Sequence, residues 1–118
     1  MNKFDLEERC AKFGEEVISI CKKIKTTPIN MRIISQVIGS SGSIGANYCE
    51  ASEAESKKDF QHKMSIAKKE IKETKHWFRL LAKANPEAIK ELRELNEEAQ
   101  ELLLIFSKTI KTSKEKNI

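Results

Sequence analysis

Residues 60–81 read Phe60-Gln61-His62-Lys63-Met64-Ser65-Ile66-Ala67-Lys68-Lys69-Glu70-Ile71-Lys72-Glu73-Thr74-Lys75-His76-Trp77-Phe78-Arg79-Leu80-Leu81. Within this run Phe60, Met64, Ala67, Ile71, Thr74, Phe78 and Leu81 recur at steps of four and three without a break. Such a step returns to one face of an α-helix, whereas a half-buried strand would alternate every second residue. Ser56 followed by Asp59 supplies an N-terminal capping signal, so the spacing predicts a helix over 57–84.

The same step extends in both directions. Downstream, Asn85-Pro86-Glu87 offers a capping amide, a proline at the first helical position and a carboxylate in the first turn. Ile89, Leu92, Leu95, Ala99, Leu102, Phe106 and Ile110 follow, predicting a helix over 86–113 that frays into a lysine-rich tail from Lys111 to Ile118. Upstream, Pro28 or Asn30 opens a helix over 29–54 with Ile34, Val37, Ser41, Ile44, Tyr48 and Ala51 on its seam. Asp5 with Glu8 forms a capping-box signal ahead of Leu6, Cys10, Phe13, Val17, Ile20 and Ile24, predicting a first helix over 5–26.

Connections of a few residues cannot carry the chain back along a helix, so successive helices lie antiparallel. The expected fold is all-α, an antiparallel up-down-up-down four-helix bundle occupying residues 1–118 as a single domain. Composition agrees: 118 residues suit one core, Gly 4 and Pro 2 are few, and 34% of side chains are charged. Apolar residues off the seams, Ile18, Ile38, Trp77, Leu80, Leu103, Leu104 and Ile105, point to a second buried face and hence to a homo-oligomer.

No apolar run approaches the roughly 20 residues that span a bilayer, and Met1 to Asp5 leads into charge, so no membrane association and a cytoplasmic location are expected. Cys10, Cys21 and Cys49 lack metal-site spacing and fall at apolar helical positions, where buried, reduced thiols are expected.

Gly39-Ser40-Ser41-Gly42-Ser43-Ile44-Gly45 would score as a loop, because each interior glycine costs a helix about 1 kcal/mol. Gly39, Gly42 and Gly45 nevertheless recur every third residue, along one side of a helix, where small residues let a neighbouring helix approach. They are candidate helix-packing positions. No Walker lysine follows them, and no strand precedes a G-x-G-x-x-G, so nucleotide binding is not indicated.

Ser43-Ile44-Gly45-Ala46-Asn47-Tyr48, Glu50-Ala51, Ser56-Lys57-Lys58-Asp59-Phe60, Ile66-Ala67-Lys68-Lys69-Glu70 and Glu73 to Leu81 together resemble a four-helix-bundle family encoded in intervening sequences of bacterial 23S ribosomal RNA genes. The resemblance covers nearly the whole chain. It implies that the glycine segment is helical and that the assembly is a homopentameric ring. More distantly, the chain is similar to the accessory protein of diversity-generating retroelements, a basic pentamer that binds nucleic acid and a reverse transcriptase. Gly39 and Cys49 stand where relatives of the nearer family often carry arginine.

The net charge of +4 is unevenly spread. Residues 57–83 carry 9 basic and 3 acidic side chains, whereas residues 1–56 carry 7 and 8, and residues 84–118 carry 6 and 7. Opposite the third seam lie Lys58, Lys69, Lys72 and Arg79, with Lys63, Lys68, Lys75 and Lys83 on its flanks. Lys58, Lys69, Lys72, Lys75 and Arg79 are therefore the candidate nucleic-acid-binding residues, since such a stripe meets a phosphate backbone by releasing counterions. The competing reading is a solvated, partly salt-paired helix face. A structural adaptor that binds a protein partner, a reverse transcriptase or a nuclease, is the alternative function. Trp77 and Tyr48 are aromatic candidates for base stacking, with core or interface packing as the plainer assignment.

No catalytic constellation is found. Glu73-Thr74-Lys75-His76 and Asp59-Phe60-Gln61-His62 have carboxylate–histidine spacing, but they lie about 21 Å apart on one helix, whereas a di-iron bundle places them on facing helices. Neither a metal nor a cofactor is expected, nor an enzyme. The glutamates Glu87, Glu91, Glu94, Glu97, Glu98 and Glu101 read as a solvated face.

Overall fold

The computed structural model describes residues 3–116 and contains four helices: α1 (Lys3–Lys23), α2 (Pro28–Ser52), α3 (Lys57–Ala84) and α4 (Ile89–Glu115). A 3-10 turn, Pro86–Ala88, joins α3 to α4, and no strand occurs among the described residues. Met1, Asn2, Asn117 and Ile118 lie outside them. The body is a rod of 52 × 20 × 20 Å.

Helix starts follow local chemistry. Thr27 caps α2 by accepting from the Asn30 backbone N–H at 3.0 Å, and Pro28 occupies the first turn, where its missing donor costs nothing. Ser56 caps α3 by accepting from the Asp59 N–H at 3.0 Å. Two expected starts differ. Asp5 sits within the first turn of a helix that already includes Lys3, where its negative charge still favours the positive helix end. Asn85 makes no side-chain cap on the following turn, because its amide is committed to a buried partner across the bundle. Helix one stops at Lys23, short of the expected residue 26, and α4 stays helical to Glu115 through the segment expected to fray.

The glycine segment is continuous α-helix with no positive φ, so burial of the flanking seam overrides its low propensity. Only Gly45 lies against another helix: a Cβ there would sit 3.4 Å from Cys10 Cβ on α1. Added Cβ atoms at Gly39 and Gly42 meet nothing within 4 Å, so these two do not mediate packing inside the chain.

Helices pack in cyclic order, α1 on α2, α2 on α3, α3 on α4 and α4 on α1, with α2–α3 the closest pair and α1–α4 the loosest. Small side chains favour the first: α2 buries Ser40, Ser41 and Ala51, α3 buries Ala67 and Thr74, and Ser40 meets Thr74 directly. Thr74 Oγ1 shares a 2.8 Å hydrogen bond with Ser40 Oγ and donates to the Glu70 carbonyl at 2.8 Å, so these buried hydroxyls are satisfied. The diagonals do not meet through backbone; aromatics bridge them. Phe13 of α1 meets Phe78 of α3 edge-on at 6.1 Å, and Tyr48 of α2 meets Phe106 of α4 at 5.9 Å. Edge-to-face pairs add about 0.5–1.5 kcal/mol each beyond burial of their area.

The seams are those read from spacing, with local exceptions. Ile20, Ile34 and Phe60 are half-buried, Ile89 is 38% exposed, and Cys21, Asn30, Ser40 and Ala88 are buried where the four-three count did not place them. Cys10 and Cys21 are buried free thiols, but Cys49 is exposed, with its Sγ 3.4 Å from Glu7 Oε1. Burial pushes the Cys10 thiol up to about 12 and the Cys21 thiol up to about 11. Among the described residues no helix is long and apolar enough to cross a membrane.

Candidate nucleic-acid interface

α3 presents its cations unequally. Lys58, Lys69, Lys72, Arg79 and Lys83 are exposed, whereas Lys63, Lys68 and Lys75 are half-buried. Lys63 turns toward α2 and pairs with Glu50 at 3.0 Å, which removes it from the stripe. Lys57, at the start of α3, donates to the Lys116 carbonyl at 2.6 Å. Lys75 turns toward α4 and donates to the Gln100 side-chain carbonyl.

Along the later half of α3 the helix pair opens into a cleft of about 840 Å³. Lys72, Lys75, Arg79 and Lys83 line it from α3, and Arg93 lines it from α4. Among the described residues no carboxylate lines it. Phe78, Ala82, Leu92 and Ile89 form the apolar part, and His76 and Asn96 add polar groups that can donate and accept. Five cations around a concavity with low-dielectric walls focus positive potential, and an anion bound there needs no carboxylate displaced.

Lys72, Lys75 and Arg79 are therefore brought together as expected of a single face. Lys58 and Lys69 are not part of the cleft, and Lys58 lies about 21 Å along the helix from Lys72. Arg93 was not among the sequence candidates. Its position was legible only in hindsight, because helix spacing gives the face of α4 on which Arg93 lies but not its register against Arg79. The aromatic candidates separate: Tyr48 is buried against Phe106, out of reach of a base, while Trp77 is half-buried with its ring 5.1 Å from that of His76.

Acidic side chains gather elsewhere. Arg9 of α1 clamps Glu98 of α4 with two 2.7 Å bonds and reaches Glu101 at 3.2 Å, so part of the expected solvated glutamate face is a tie between helices. This hydrogen bonding drives the Arg9 guanidinium pKa above its ordinary value. Lys23 adds a pair to Glu91 at 3.6 Å. Glu70 is held above the usual carboxylate range by burial and by Glu73 beside it. Among the described residues no three His, Cys, Asp or Glu side chains gather as a metal site requires.

The family described as 23S rRNA-intervening sequence protein matches residues 2–108. Among solved structures, the fold is similar to the crystal structure of a protein of unknown function from the S23 ribosomal protein family of Bacteroides thetaiotaomicron VPI-5482. That likeness has a TM-score of 0.82 at 27% sequence identity and covers 94% of this chain and 99% of that one. Comparison with curated proteins gives no match.

Proposed function

The chain belongs to the 23S rRNA-intervening sequence protein family, and from that premise we propose that it is a non-catalytic, oligomeric RNA-binding bundle of the cytoplasm. The observation that carries the reading is the α3–α4 cleft, with Lys72, Lys75, Arg79, Lys83 and Arg93 around it and, among the described residues, no carboxylate in its lining. Lys69 and Lys58, exposed on the same helix, extend the phosphate contacts toward its N-terminal half. Binding of this kind is sequence-independent and salt-sensitive, because each neutralised phosphate releases counterions.

Self-association is the second half of the proposal. Ile18, Ile38, Leu80 and Leu104 are 47%, 38%, 37% and 61% exposed, on helices that already bury a full seam each. A second copy packed over any of these side chains would remove apolar area from water, which is what supports self-association. A ring of five copies is the assembly that the family resemblance suggests. A second reading, an adaptor that docks on a protein such as a reverse transcriptase or a nuclease, draws on the exposed Ile29 and Met31 at the start of α2, 66% and 59% open to solvent.

Titration of RNA against the protein across a salt series, with oligomeric mass from light scattering in the same buffers, tests the proposal. Saturable binding by a defined oligomer is expected, lost on joint reversal Lys69→Glu, Lys72→Glu and Arg79→Glu with helicity and mass unchanged. An intact oligomer that binds no RNA near physiological salt would favour the adaptor.

A further inference from the structure

We infer that the α3–α4 cleft is a pocket for an unpaired nucleotide, so that the chain prefers single-stranded or bulged RNA to continuous duplex. The inference rests on the RNA-binding reading above and narrows its ligand. A basic helix face alone would meet any phosphate backbone equally. This site differs in that its cations surround an apolar floor whose solvent-facing part is Ile89 and the half-buried Ala82, with the almost fully buried Phe78 and Leu92 behind them.

A duplex presents phosphates on a convex surface and keeps its base faces stacked inside, so it engages the rim cations and leaves that floor in water. An unstacked base instead lays an apolar face on the floor while its flanking phosphates reach the rim, which is how single strands are generally held. Arg79 and Arg93 enter from opposite walls, α3 and α4, and a planar guanidinium stacks on a base as well as pairing with phosphate. The Asn96 amide supplies one donor group and one acceptor for a base edge. The volume, about 840 Å³, falls within the roughly 300–1,000 Å³ of pockets that enclose organic ligands.

The test uses the full chain and three labelled RNAs of equal length: an unstructured strand, a hairpin with a one-nucleotide bulge and a blunt duplex. Two variants leave charge untouched. Ala82→Trp fills the floor, and Ile89→Ala trims it at a position 38% exposed, where folding depends little on the side chain. Expected are affinities about tenfold higher for the strand and the bulge than for duplex. Ala82→Trp should abolish that preference and Ile89→Ala weaken it. If Ala82→Trp fails to fold by circular dichroism, Ile89→Ala decides. Equal affinity for all three RNAs, indifferent to both variants, overturns the pocket and leaves general RNA binding standing. Absence of binding to any RNA overturns both. A glutamate-rich peptide that binds more tightly than the strand, and loses binding in the cleft variants, overturns the inference in favour of a protein ligand.

Discussion

Asn30 and Asn85 exchange two amide hydrogen bonds, 2.9 Å from Asn30 Nδ2 to Asn85 Oδ1 and 2.8 Å in return, with both side chains almost fully buried. Each also donates to backbone, Asn30 to the Lys25 carbonyl at 2.8 Å and Asn85 to the Leu81 carbonyl at 3.0 Å. The pair ties the start of α2 to the end of α3 and satisfies carbonyls at two helix junctions. Replacing Asn30→Ala or Asn85→Ala strands the remaining amide in the core and is expected to cost about 1–3 kcal/mol. The double variant should cost less than the sum of the two, by urea denaturation, because no orphaned partner then remains.

Gly39→Ala and Gly42→Ala are expected to raise stability by about 0.5–1 kcal/mol each, since an added methyl meets nothing and the unfolded chain loses freedom. Gly45→Leu should lower it by pushing against Cys10 on α1. Thermal melting with mass measured in parallel separates the two effects. If Gly39→Ala instead lowers the measured mass, the result would support self-association through that face.

Arg9→Ala should destabilise the bundle by about 1 kcal/mol, the upper range for ion pairs that keep contact with water. The Arg9 and Glu98 side chains are each 27% exposed, so salt screens them only in part. Arg9→Lys should recover less than half of the loss, because an ammonium cannot make both bonds of the fork. Urea denaturation at two salt concentrations measures it.

Thiol chemistry should divide the cysteines. Cys49 is expected to react with a thiol reagent in the native protein far faster than Cys10 or Cys21, which react only on opening. Stability is also expected to fall as pH rises above 9. The unfolded thiols ionise from about 9.0, whereas Cys10 and Cys21 stay protonated to about 12 and about 11, so the unfolded state binds fewer protons across that window. The loss ends once the native thiols ionise as well. A Cys10→Ser, Cys21→Ser variant should show a flatter profile in alkaline denaturation.

The seams were legible because burial of one helix face imposes a four-three spacing on apolar residues, and Met64, Ala67, Ile71, Thr74, Phe78 and Leu81 are all buried. Features that depend on two helices together were not. Asn85 read as a cap because a polar side chain before Pro86 satisfies local rules, and only the folded chain supplies Asn30 as the stronger partner. Arg9 and Glu98 sit 89 residues apart, and nothing in either helix's pattern specifies their register. Cys49 follows the buried Tyr48 yet points outward, since adjacent helical positions differ by about 100°. The basic cleft was half legible: Lys72, Lys75 and Arg79 share one helix face, but Arg93 joins them through α3–α4 packing alone.

The loose α1–α4 seam makes α1 a latch on a three-helix body. α2, α3 and α4 form an unbroken chain of close neighbours, whereas α1 closes the ring through α2, the Phe13–Phe78 pair and the Arg9 clamp. Its amide protons are therefore expected to exchange with solvent at a lower opening free energy than those at the centres of α2 and α3, as native-state hydrogen exchange would measure. Unlatching would uncover Cys10 and the seam around Gly45, and would take the Phe13 ring off Phe78, a side chain that also lines the α3–α4 cleft.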